Sequence, residues 1–186
     1  MVCGGFVRGK VVFAAMVVVF TALYFMLTFI FAPISFLPFQ IRVSDALIML
    51  SAALGLPVVY GVFLGCILAN LFPVGYPPNP LDVIFGSLAN LIASYLVYRI
   101  SYGRGEKTRL MISGVISSLI ITFIVGSYLP FLFLPKFSWM DIFWLGYLGV
   151  LPGELVAQLA IGAPLTLALK RILRSEKPVQ EEKAST

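Results

Sequence analysis

Histidine is absent from the 186 residues, and charged residues are scarce, at 11% of the chain. The first absence excludes zinc-protease helices, Ser-His-Asp triads and histidine proton relays. The second excludes an ordinary soluble domain, which carries about a quarter charged residues. The two cysteines, Cys3 and Cys66, have no paired spacing and say nothing of redox compartment. There is no Gly-x-x-x-x-Gly-Lys-Ser/Thr sequence to cradle a nucleotide phosphate, so the chain cannot drive work with ATP by that route. There is no internal repeat of the inverted-topology kind, and no cluster of metal ligands.

What is present is apolar. Hydrophobic residues make up 60% of the chain and mean hydropathy is +1.02. Apolar stretches near the ~20 residues that carry a helix across the hydrocarbon recur along the sequence. They are continuous rather than alternating, so they read as helices and not as strands of a barrel. The fold class expected is an all-α membrane protein with six transmembrane helices, near residues 11–31, 45–56, 57–72, 80–99, 110–134 and 152–170. Residues 11–31 are too long for a signal-peptide core and count as a span. Residues 139–151, with Trp139, Phe143, Trp144 and Tyr147, either lie in the interface or extend the last helix outward.

Charge placement decides between one span and two over residues 45–72. With six spans, all the basic residues except Arg42 and Lys136 fall on one side, which the positive-inside rule makes cytoplasmic, with both termini. Pro57 supplies the break. Residues 1–174 then form a single domain, followed by a charged tail, 175–186, that composition reads as disordered. The loops 32–44, 73–79 and 135–151 face outward. The net charge of +5 is explained by these edge clusters and requires no nucleic acid.

Several polar residues lie where apolar neighbours make them costly. An acid near the middle of a membrane costs ~2.5–3.5 kcal/mol on insertion scales. Glu154, in Pro152-Gly153-Glu154, is either a carboxylate at a helix start or one aimed into a pocket, with Gln158 one turn on. Asp82 follows Asn79 and Pro80 at cap spacing, yet Asp82, Gly86, Asn90 and Ala93 make a polar stripe unsuited to lipid. Arg42 and Asp45 either form an i,i+3 pair, or one of them, or Gln40, closes over a solute. Asn70 is an interhelical hydrogen bonder or a ligand contact. Rows of small residues (Gly61, Gly65, Ala69; Gly86, Asn90; Gly149, Gly153, Ala157) predict close helix packing or reception of a partner's helices.

Residues 22–36 (ALYFMLTFIFAPISF) followed by 40–47 (QIRVSDAL) resemble the first helix and loop of the QueT family. Residues 63–70 (FLGCILAN), 81–89 (LDVIFGSLA), Gly153-Glu154 and 162–165 (GAPL) resemble it as well, in order along nearly the whole chain. The resemblance implies a substrate-binding S component of an energy-coupling-factor (ECF) transporter: a six-helix bundle that captures a queuosine precursor outside the cell. Such a protein sits in the plasma membrane and docks on a transmembrane coupling subunit driven by two ATPase subunits. ATP is then used by the partners, and this chain carries no cofactor, no metal and no enzymatic activity. S components present an Ala-x-x-x-Ala pair on the first helix to the coupling subunit. Here Val18 stands at that spacing from Ala22, which leaves Ala14, Ala15 and Ala22 as the docking residues.

A 7-deazaguanine, with an aminomethyl or cyano group at position 7, offers a paired N1–H and amine that a carboxylate accepts. Glu154 takes that role first and Asp82 second, with Asn70, Asn90 or Gln158 donating to the carbonyl oxygen and Gln40 and Arg42 near the closing loop 32–44. Competing readings are an S component for another vitamin or nucleobase, a freestanding ion-coupled carrier, an assembly subunit, or an enzyme using Asp82 and Glu154 as an acid dyad.

Overall fold

The computed structural model describes residues 3–35, 40–75, 77–134, 136 and 138–184, with side chains described between residues 9 and 175. Among the described residues there are helices and turns and no strand. We label the main helices α1 (Cys3–Ile30), α2 (Val43–Leu54), α3 (Leu56–Leu71), α4 (Asp82–Ser101), α5 (Lys107–Phe133) and α6 (Trp139–Ser175). The helical backbone of α6 runs on through Ala184. Helices α4, α5, α6 and the stretch of α1 from Gly9 are long and apolar enough to cross a membrane, while α2 and α3 are shorter apolar helices.

Residues 45–72 therefore form two helices, and the break falls at Gly55 rather than at Pro57. Gly55 has φ +80°, a conformation closed to most L residues, and its N–H closes α2 onto Ser51 O. Pro57 lies in the first turn of α3, where its missing N–H costs nothing. The last helix takes the extended alternative. It begins at Trp139, so residues 139–151 extend it outward and Pro152 lies inside it. Wide π turns at Ile142–Tyr147 and Val156–Gly162 flank the proline and accommodate the lost hydrogen bond.

The rows of small residues pack within the chain. A Cβ on Gly61 would lie 2.5 Å from Phe20 Cβ, and one on Gly65 2.6 Å from Tyr24 Cβ, so α3 lies directly against α1. A Cβ on Gly153 would overlap Gln40 O, and one on Gly146 would overlap Gly126 O. These contacts hold α6 against residues 40–41 and against α5. The core they enclose includes Tyr24, Met49, Val62, Ala93 and Val150. The outward surface of α1 remains apolar and exposed, with Val18, Val19 and Ile30 all more than half exposed.

Candidate functional site

Among the described residues, four buried side chains carry formal charge: Arg42, Asp45, Asp82 and Glu154. The helix ends bring them together. The chain crosses back and forth, so the C-terminal ends of α1, α3 and α5 meet the N-terminal ends of α2 and α4 at the face away from the basic loops. Glu154 joins them from the interior of α6.

Asp45, at the start of α2, accepts from Tyr24 Oη at 2.6 Å and from Asn90 Nδ2 at 2.9 Å. Asn90 Nδ2 also lies 2.7 Å from Tyr24 Oη, which closes a three-membered network across α1, α2 and α4. Thr28 extends it through Ser44 at 2.7 Å. Asp82 accepts from Tyr128 Oη at 2.7 Å and stands 3.9 Å from Arg42 Nη2. Asn70 Nδ2 donates to Asp82 O at 2.8 Å, while its Oδ1 is buried without a hydrogen-bond partner among the described residues. Glu154 accepts from Gln158 Nε2 at 2.9 Å, and Gln158 Oε1 accepts from Ser117. The Glu154 carboxyl neighbours Asp45 and lies within electrostatic reach of Arg42. The Arg42 guanidinium thus lies 3.9 Å from the Asp82 carboxyl and within electrostatic reach of Asp45 and Glu154, all four side chains being buried.

The sequence-predicted residues fall as follows. Asn79 caps α4 by accepting from Leu81 N–H at 2.9 Å, but the Asp82 side chain turns inward to Tyr128 and Arg42. Glu154 is interior to α6, so the helix-start reading does not hold. Asn70, Asn90, Gln158 and Arg42 are buried in the cluster. Gln40 is buried too, and its backbone carbonyl rests on Gly153, beside Glu154. Of the expected closing loop, residues 36–39 lie outside the described residues. Ala32–Ser35 forms a single helical turn, and Ile41 N–H bonds back to Ile34 O at 3.0 Å. Ala14, Ala15 and Ala22 stand exposed on α1.

Tyr24, Tyr128 and Ser117 are the members that residue-by-residue reading passed over. Asp45, weighed in the sequence beside Arg42, accepts from Tyr24 and Asn90. The tyrosines gave no signal, because their hydroxyls matter only where helices distant in sequence meet. A further signal lies in the backbone. Asp82 begins one π turn, Asp82–Gly86, and Gln158 lies in another, and such widened turns recur at functional sites.

Long apolar helices around a buried polar cluster define a multi-pass membrane protein. A family model described as QueT transporter matches residues 12–171, and the chain belongs to that family of membrane transporters. No curated protein and no solved structure matches the chain.

Proposed function

We propose that this chain is the substrate-capturing S component of an ECF importer, and that the buried cluster holds a 7-deazaguanine queuosine precursor. The observation that carries the reading is the surplus of acceptors. Three buried carboxyls accompany one buried guanidinium, and Asn70 Oδ1 has no hydrogen-bond partner among the described residues. A buried acceptor left unpaired costs about 1–3 kcal/mol, which a ligand N–H recovers. The guanine-like edge supplies paired donors, N1–H and the exocyclic amine.

Glu154 is the acceptor for that edge, since its Oε2 is held by Gln158 and its helix is pinned by Gly153. Asn90 is committed to Asp45 and Tyr24, so its part is to orient the acids. Asn70 accepts an N–H through Oδ1, and Arg42 donates to the carbonyl oxygen. The acid surplus also favours the aminomethyl precursor, a cation, over the nitrile.

The six-span topology, with both termini and the basic loops in the cytoplasm, belongs to this reading and rests on the distribution of Lys and Arg. It places the cluster toward the outside of the plasma membrane. The exposed Ala14, Ala15 and Ala22 then offer the coupling subunit a face of small residues, and ATP is hydrolysed by the two partner ATPase subunits.

Uptake of labelled 7-aminomethyl-7-deazaguanine by cells with and without the ATPase subunits tests the coupling. Uptake that needs them supports an S component. Uptake that persists without them identifies a freestanding carrier instead.

A further inference from the structure

At the opposite, basic end of the helices a cavity of about 440 Å³ opens between the α2–α3 turn, the loop after α4 and the last turns of α6. Arg104, Lys170 and Arg174 line it, and no carboxylate does among the described residues. The ion pair of Arg109 with Glu106 at the same end lies outside the lining. Like charges one helical turn apart, as Lys170 and Arg174 are, repel in the absence of an anion.

The cations are built in. Lys170 Nζ donates to Ser101 O at 3.2 Å and to Arg104 O at 3.1 Å, which ties the loop to α6 and fixes the ammonium at the cavity. Arg104 Nη1 donates to Ile100 O at 2.9 Å. Arg174 packs its guanidinium onto Gly105, where a Cβ would lie 2.5 Å from Nη2. The remaining wall is apolar, formed by Ala52, Tyr102 and Leu173, and both Tyr102 and Leu173 are exposed to what surrounds the helix ends.

We infer that this cavity binds the phosphodiester headgroup of an anionic membrane lipid. Charge and position favour a lipid over a soluble anion. The three cations sit where apolar helices end, at headgroup depth, and the apolar wall continues into the lipid-facing surface at Ile172 and Leu173. Arg guanidinium groups bind phosphate oxygens bidentately, and Lys adds a point charge. Arg99, Lys107, Arg109 and Arg171 are basic residues of the same end that do not line the cavity, so they serve as internal controls.

Native mass spectrometry of the purified full-length protein, titrated with phosphatidylglycerol or phosphatidylcholine, tests the assignment. The wild type should retain phosphatidylglycerol about tenfold better. R104Q/R174Q should lose that preference, and K107Q/R171Q, with the same change of charge, should keep it. Should R104Q/R174Q lose its helical circular dichroism, R174Q against R171Q carries the same comparison. Arg174 makes no hydrogen bond among the described residues, so its loss leaves the fold intact. Equal retention of both lipids by the wild type would overturn the inference, as would equal loss in the cavity and control variants. Displacement of phosphatidylglycerol by millimolar inorganic phosphate would reassign the cavity to a soluble anion and overturn the lipid assignment.

Discussion

The Tyr24 hydroxyl donates to Asp45 Oδ1 at 2.6 Å, and this bond ties α1, the helix most exposed on its outer face, to the buried acid cluster. It connects the apolar outer face of α1 with the buried acid cluster through a single side chain. Tyr24→Phe removes the donor and leaves Asp45 one hydrogen bond short. Thermal unfolding in detergent should show a loss of about 1–3 kcal/mol, the cost of under-pairing a buried polar group. Asp45→Asn with Tyr24→Phe should cost less than the sum of the two single changes.

Gly65 carries the packing that sets Tyr24 in place. Gly65→Ala puts a methyl 2.6 Å from Tyr24 Cβ and 2.9 Å from Thr21 O, with backbone on one side and a ring stem on the other. Overpacking of this kind costs about 1–3 kcal/mol. The variant should melt earlier and bind ligand more weakly, because the network of Tyr24, Asp45 and Asn90 shifts with α1.

Gly55→Ala should separate stability from binding. At φ +80° an added Cβ is strained, and it would meet the Tyr102 ring at 3.1 Å. The expected destabilisation is about 1–3 kcal/mol. Gly55 lies at the basic end, away from the acids, so calorimetric affinity for the deazaguanine should not change in the folded fraction.

On the proposed function, the surplus of acids favours a cationic ligand. Asp82→Asn removes one carboxyl and should lower the ratio of aminomethyl to cyano precursor affinity by about tenfold, on the order of one screened charge pair. Paired calorimetric titrations of the two ligands read that ratio directly. An unchanged ratio would remove the electrostatic argument for a cationic substrate.

The hydropathy runs were legible as helices because each apolar stretch is continuous and flanked by charge or turn residues. Spacing alone predicted the Glu154–Gln158 pair, and the two side chains meet at 2.9 Å. The Asn79 cap was equally local. Where a local rule met a tertiary constraint, it failed. Pro57 reads as a breaker, but the chain turns at Gly55, since only a positive φ reverses it there. Pro152 reads as either the start of the last helix or a point within it, and it lies within, between two π turns. The site was half legible. Glu154, Asp82 and Asn70 are conspicuous as polar residues in apolar surroundings. Tyr24 and Tyr128 are not, because a tyrosine in a membrane helix is ordinary until its hydroxyl finds an acid from another helix.

The most direct test of the binding account is calorimetry of the purified protein with 7-aminomethyl-7-deazaguanine, alongside guanine, riboflavin and the Glu154→Gln variant. A ligand of about a dozen heavy atoms, each contributing up to ~1 kcal/mol, permits nanomolar affinity in an enclosed site. The account predicts submicromolar binding by the wild type and about a hundredfold loss in the variant, the cost of one charge-assisted hydrogen bond. Unchanged binding by Glu154→Gln, or no deazaguanine binding by folded wild-type protein, would contradict it.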